Sequence, residues 1–260
     1  MDRDYTFDEL LNIMRRLRGV DGCPWDIEQT NDSIKNDTLE EAYELVEAIN
    51  NKDDDNLVEE LGDLLLHVVF HSQIGVDENR FTMDDVLNSI IDKMIRRHPH
   101  IFKNEVANTP EDVLVQWDEI KKIEKNHQTH TDVLRSIPKA MPALVRATKV
   151  GKKAAKVGFD FENSDQLFDK LHEELEEIIE AVELGDINHL QEEIGDLLFQ
   201  ITNISRFFQI NPENALTNAT EKFINRFEGI EELAMADSLD LNDLSLTKMD
   251  EYWDRVKLEE

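Results

Sequence analysis

The sequence predicts an all-α protein made of two copies of one helical unit, and three observations carry that prediction. Gly and Pro are scarce, nine and six in 260 residues, and no run of alternating β-branched residues occurs. Apolar residues recur at three- and four-residue steps, as in Leu61, Leu64, Leu65, Val68 and Val69. Finally, Glu40, Glu41, Glu44, Glu60 and Asp63 return 133 positions later as Glu173, Glu174, Glu177, Glu193 and Asp196. An unbroken displacement through two helices and their turn marks a tandem duplication.

The elements follow in order. Residues 7–18 form an amphipathic helix with Leu10, Leu11, Met14 and Leu17 on its apolar side. Gly22-Cys-Pro-Trp-Asp26 breaks it, since Gly and Pro continue a helix only at a cost. A second helix spans 37–50, with Leu39, Ala42, Tyr43, Val46 and Ile49 expected to face inward. After the acidic turn 50–55, a third helix runs to about residue 74, with Glu60, Asp63 and His67 on one stripe. Residues 83–97 form a fourth, whose terminal Arg96 and Arg97 suit a helix C-terminus, and His98-Pro99-His100 stops it. A further helix covers 110–124 and carries Trp117 and Lys121, with Pro110 in its first turn. The polar stretch 125–131 and the prolines Pro138 and Pro142 set the boundary. The expected division is a first domain 1–125, a connection 126–142 and a second domain 143–260.

The repeat continues with small gaps. Lys93 and Arg97 correspond to Lys222 and Arg226, Trp117 and Lys121 to Trp253 and Lys257, and Trp25-Asp26 to Phe159-Asp160.

Composition excludes several functions. A formal net charge of −30 repels a nucleic-acid polymer or an anionic membrane, while leaving room for a small anion held by a divalent ion and local cations. The single Cys23 rules out an intramolecular disulfide and fits a reducing cytoplasm. The first twenty residues carry charges throughout and lack a signal-peptide apolar block, and no apolar run is long enough to span a membrane. Neither a Gly-x-x-x-x-Gly-Lys-Ser/Thr nor a Gly-x-Gly-x-x-Gly loop occurs.

What remains is a constellation of carboxylates, Glu-Glu-x-x-Glu on one helix and Glu-x-x-Asp on the next. Spacings of three put Glu174 with Glu177, and Glu193 with Asp196, on single helical faces. A short connection makes the two helices antiparallel, so all four converge. Oxygen-only donors suit Mg²⁺ or Mn²⁺ rather than zinc. In a chain with 58 acidic residues the first pattern alone is usually a solvated helix face, and Glu176, Glu177 and Glu180 fit it too. The 133-residue displacement selects Glu173, Glu174 and Glu177. Gly62 and Gly195, set beside the aspartates, lower helix propensity and suggest close approach of another helix or a ligand. Lys222 with Arg226, and Lys93 with Arg97, are four apart and can grip a polyphosphate. Trp253 and Trp117 could stack on a base, although a lone Trp at helical spacing is more often core. Lys170 precedes Glu174 by four, where the first repeat has Asp37. His67, whose repeat mate is Gln200, reads as a packed or hydrogen-bonded residue.

Taken together, these motifs resemble the two-repeat MazG proteins, all-α nucleoside triphosphate pyrophosphohydrolases. The resemblance rests on Gly22-Cys-Pro-Trp-Asp-x-Glu-Gln-Thr30, Thr38-Leu-Glu-Glu-x-Tyr43, Glu60-Leu-Gly-Asp-Leu-Leu65, Arg96-Arg-His-Pro-His100, Val157-Gly-Phe-Asp160, Glu193-Ile-Gly-Asp-Leu-Leu-Phe199, Glu221-Lys-Phe-x-x-Arg-Phe227 and Trp253-x-x-Val-Lys257. It implies hydrolysis of NTPs or dNTPs to monophosphate and pyrophosphate, and the chemistry of a bound metal makes attack of metal-activated water at the α-phosphorus the expected mechanism. Glu174, Glu177, Glu193 and Asp196 are then metal ligands for Mg²⁺, with Mn²⁺ as a substitute. Lys170, Glu173, His189, Glu192, Lys222, Arg226, Trp253 and Lys257 are implied substrate contacts, His189 standing where the family pattern has lysine. The first repeat keeps a second candidate metal set, Glu41, Glu44, Glu60 and Asp63, with Lys93, Arg97 and Trp117 as candidate nucleotide contacts. Related bundles commonly dimerise to cover their apolar faces, so a homodimer is expected, in the cytoplasm that the single Cys23 already suggests. The competing class is a non-catalytic helical scaffold or partner-binding dimer, which would be indifferent to chelator.

Overall fold

The computed structural model describes residues 5–103, 105–124 and 128–259. Among them there are thirteen α-helices and no strand, as the composition predicts. The chain separates into two compact units, 1–125 and 126–260.

The first unit contains α1 (Phe7–Leu17), α2 (Pro24–Glu28), α3 (Asp37–Asn51), α4 (Asp54–Asp77), α5 (Met83–Arg97), α6 (Pro99–Phe102) and α7 (Pro110–Glu124). Helix starts follow local chemistry: Thr6 and Glu9 form a reciprocal capping box on α1, and Thr82 and Asp85 another on α5. The core is small. Met14 of α1 packs with Val69, Phe70 and Ile74 of α4 and with Ile34. The break after α1 is pinned by Arg18, which donates to Asp77 at 2.6 Å, to the carbonyl of Gln29 at 3.1 Å and to the carbonyl of Asp26. Gly22 is required there, because a Cβ would stand 2.0 Å from the carbonyl oxygen of Leu17.

The second unit contains α8 (His130–Arg135), α9 (Ala143–Ala155), α10 (Ser164–Leu184), α11 (Ile187–Phe207), α12 (Pro212–Ala236) and α13 (Leu246–Glu259), with a short 3₁₀ turn at Leu241–Asp243. The segment 126–142, read from sequence as a connection, thus carries a helix, α8, and it packs against α9. Helix α9 lies on α11 and α12, and α12 packs on α13 around Ile230, Ala234 and the fully buried Tyr252. The hydroxyl of Tyr252 donates to Asp237 at 2.5 Å.

In each unit the dominant contact is one helical hairpin, α3 with α4 and α10 with α11. The turns are homologous in detail. Lys52 and Gly185 end the first helix in the left-handed conformation, and Asp53 and Asp186 cap the second.

Two sequence expectations change. Leu39, Tyr43, Val46 and Ile49, expected inward, are exposed in the chain, and only Ala48 of α3 is buried. Apart from chain neighbours and the helix's own backbone, no described atom lies within 4 Å of a Cβ added at Gly62 or Gly195, so of the two expected neighbours, a helix or a ligand, it is the helix that is ruled out. Both differences share a cause: α3–α4 and α10–α11 bury one face each and leave another open. No helix among the described residues is long and apolar enough to cross a membrane.

Candidate active site

The hairpins converge their carboxylates. In the second unit oxygens of Glu174, Glu177 and Glu193 lie within 4.8 Å of one another, and in the first those of Glu41, Glu44 and Glu60 do the same. Each residue of one trio is displaced from its counterpart by 133. The geometry follows from sequence: three-residue spacing aligns Glu174 with Glu177 on α10, and the tight turn at Gly185 and Asp186 folds α11 back so that Glu193 faces them. Glu173 and Glu176 are exposed and lie outside the close trio.

Burial is uneven within each trio. Glu174 is 4 % exposed and Glu60 8 %, and each has one carboxylate oxygen sealed from solvent without a hydrogen-bond partner, Oε2 in both cases. An orphaned buried carboxylate oxygen is costly. A hard divalent cation would satisfy it, and the donors present, all carboxylate oxygens, fit such an ion. Asp196 is exposed and Asp63 half-buried, and neither belongs to the close trio. Both stand near enough to act through charge. Burial first, then the charges of Glu177 and Asp196, push the Glu193 carboxyl above its ordinary range, with His189 opposing. Glu60 is raised by burial and by Glu44 and Glu41, and Glu41 by burial and by Asp63.

The two sites differ in what borders the acids. In the second unit Lys170 Nζ donates to Glu174 and to Glu173, both at 2.9 Å, and these bonds raise its pKa. His189 Nε2 lies 3.1 Å from Glu193. Glu192 is exposed. In the first unit Asp37 replaces Lys170, and a histidine pair stands behind the acids instead. His67 is buried, with Nε2 3.7 Å from Glu41 and Nδ1 3.1 Å from the Thr38 hydroxyl, which also reaches His71 Nε2 at 3.0 Å. Asn31 closes the chain on His71 Nδ1 at 2.7 Å. Burial and the neighbouring His67 hold the His71 pKa down.

A second group sits on α12 and α13. The Arg226 guanidinium is 5.4 Å from the Trp253 ring centre, Phe223 packs against the same ring at 5.3 Å, and Lys222 is exposed one turn before Arg226. Lys257 Nζ is 3.5 Å from Asp254. In the first unit Lys121 lies 5.6 Å from the half-buried Trp117 ring and His98 meets it edge-on at 5.1 Å, while Lys93 is half-buried. There Arg97 and Arg96 both donate to Glu124, at 2.6 and 2.5 Å, and hold its carboxyl down to about 2. The pairing of Glu124 with Arg96 and Arg97, the Phe223 ring and the Thr38–His71–Asn31 chain were not among the sequence expectations. Phe223 sits inside a quoted motif, whereas the Glu124 pairing spans 27 residues and leaves no local pattern.

Fold and site thus define a tandem all-α protein with one hairpin-borne carboxylate trio per unit. The chain belongs to the MazG family: the model of the MazG nucleotide pyrophosphohydrolase domain matches it twice, over residues 29–102 and 162–230. It is 45 % identical over 251 residues to the nucleoside triphosphate pyrophosphohydrolase/pyrophosphatase MazG of Thermotoga maritima, covering 96 % of this chain and 95 % of that protein. It is 42 % identical over 256 residues to the nucleoside triphosphate pyrophosphohydrolase of Escherichia coli K12, covering 97 % of each. It also matches about half, 52 %, of the uncharacterized protein YabN of Bacillus subtilis, at 47 % identity.

Proposed function

We propose that the second unit hydrolyses nucleoside triphosphates, ribo or deoxy, to monophosphate and pyrophosphate. The observation that carries this is the convergence of Glu174, Glu177 and Glu193 around a sealed, unpartnered carboxylate oxygen. The activity named for the Thermotoga maritima and Escherichia coli relatives supports the same reading.

Glu174, Glu177 and Glu193, with Asp196 at the rim, would hold Mg²⁺ or Mn²⁺. Bound there, the ion neutralises phosphate charge and lowers the pKa of water. The chain's own residues do the rest. Lys222 and Arg226 hold the β- and γ-phosphates, and Trp253 offers a face to the base. Lys170, His189, Glu192 and Lys257 complete the contacts we assign to substrate. Glu173 orients the attacking water or takes its proton. The water oxygen bonds to the α-phosphorus as the bond to the α–β bridging oxygen breaks, and pyrophosphate leaves with that oxygen.

Hydrolysis is assigned to the second unit because Lys170 borders its trio, 2.9 Å from Glu174, where the first unit has the acidic Asp37. The homologous set Glu41, Glu44, Glu60 and Asp63 is assigned a divalent ion, and Lys93, Arg97 and Trp117 a nucleotide contact.

The working form we assign is a cytoplasmic homodimer. Leu61, Leu65 and Val68 of α4 are exposed along one stripe, and so are their repeat mates Ile194, Leu198 and Ile201 of α11. Two apolar stripes kept at identical register favour a second copy as their cover. A reducing compartment suits the free Cys23.

Product analysis tests the activity. ATP with Mg²⁺ should yield AMP and pyrophosphate in equal amounts. Release of orthophosphate would overturn the reading, and turnover indifferent to chelator would favour the scaffold alternative.

A further inference from the structure

We infer that the second unit carries a nucleotide site formed by α8, α9 and the loop between them, separate from the carboxylate trio and independent of divalent ion. In a chain of net charge −30, residues 133–159 contain no Asp or Glu, yet carry Arg135, Lys139, Arg146 and four further lysines. The fold gathers the first three around one open groove of about 400 Å³. Arg135 comes from the end of α8, Lys139 from the loop and Arg146 from the first turn of α9. None of the three has an ion-pair partner among the described residues, and Arg146 Nε is sealed from solvent without an acceptor. With no carboxylate of the described residues engaging the three cations, an acceptor for the Arg146 nitrogen has to come from a bound anion.

The rest of the lining selects the kind of anion. Leu134, Met141 and Phe199 supply an apolar wall beside the cations. A groove of this size lies at the small end of ligand sites, which run from about 300 to 1,000 Å³. Cations on one side and apolar faces on the other match a phosphate joined to a flat base. A phosphate polymer needs a stripe of cations along a surface, whereas these three converge on one concavity.

The experiment uses the full chain with labelled AMP and ATP in excess chelator, followed by equilibrium dialysis. One saturable site per chain is expected, weakened at least tenfold in Arg135→Gln with Arg146→Gln and retained in Glu193→Gln. Circular dichroism checks folding, and Lys139→Gln, a loop substitution, gives a second variant expected to weaken binding. Lack of saturable binding in chelator would overturn the site. So would loss in Glu193→Gln with the groove variants unaffected. Competition by inorganic phosphate as strong as by AMP would overturn the base contact, and tighter binding of duplex DNA at the groove would replace the small ligand by a polymer. Binding in chelator stands or falls separately from hydrolysis, so failure of one reading is distinguishable from failure of the other.

Discussion

The ammonium of Lys170 lies 2.9 Å from Oε1 of Glu174, one helical turn further along α10, while the other oxygen of that buried carboxylate has no partner. The pair is half of a neutralisation. Lys170 offsets part of the charge of the trio, and the orphaned oxygen is left for an ion. Removing the ammonium therefore exposes how much the acids cost. Lys170→Met should lower stability in chelator by about 1–3 kcal/mol, the cost of leaving a buried acceptor without its charged donor. Mg²⁺ should restore more melting temperature in the variant than in the parent. Equal melting temperatures in chelator would show that Lys170 contributes nothing to holding the trio.

Catalysis should respond strongly to Glu193, the one member of the trio that comes from α11. Glu193→Gln keeps shape and removes charge, so pyrophosphate release should fall at least about a hundredfold, in line with loss of a group that stabilises transition-state charge. Asp196→Asn, at the exposed rim, should fall less. Both variants should retain the helical circular dichroism signal. Steady-state assays of pyrophosphate formation distinguish the two, and a Glu193→Gln enzyme with parental turnover would remove the trio from the chemistry.

The raised carboxyls of Glu41, Glu60 and Glu193 make ion binding pH-dependent, with a definite sign. A carboxyl whose folded-state pKa exceeds its ordinary value of 4.5 favours the folded state while protonated, and costs stability once it ionises at higher pH. A divalent ion removes that cost only from the ionised form. The gain in melting temperature on adding Mg²⁺ should be greatest at neutral pH and shrink as pH falls toward 4.5. Thermal melts in pairs, with ion and with chelator, read the difference directly, and a gain independent of pH would place the ion elsewhere.

How much of this was legible in the sequence depends on the range of the interaction. Helical periodicity and the capping pairs Thr6–Glu9 and Thr82–Asp85 are local, and so the helices 83–97 and 110–124 were readable residue by residue. The repeat register added a longer-range signal, selecting Glu174 and Glu177 over Glu176 and Glu180. Periodicity reports an apolar face but not what covers it. Leu39, Tyr43, Val46 and Ile49 therefore read as interior and are open in the single chain. The histidine pair behind Glu41 and the hold of Glu124 on Arg96 and Arg97 join distant segments, and no spacing rule reaches them.

That open face carries its own prediction. Ile194 and Leu198 are exposed on α11, and replacing both by Gln removes apolar area without touching the core of the unit. The double variant should fold, with unchanged helical signal, and sediment as a monomer at concentrations where the parent is a dimer. A parent that sediments as a monomer, or a variant that dimerises as tightly, would assign the stripe to another occupant.

One turn joins the two helices that carry each trio. Lys52 and Gly185 occupy the same place in the two hairpins, at φ 56° and 67°. Glycine enters the left-handed region without steric cost, whereas a residue with a Cβ loses roughly 1 kcal/mol there. Lys52→Gly should therefore stabilise the first unit by about 0.5–1 kcal/mol, less whatever the greater freedom of glycine adds to the unfolded chain. The reverse change, Gly185→Lys, should destabilise the second unit by a similar amount and leave its trio assembled, since Lys52 in the same conformation closes the homologous hairpin. Urea melts of the two variants give the signs. A Gly185→Lys variant as stable as the parent would show that the left-handed turn carries no steric cost for a side chain.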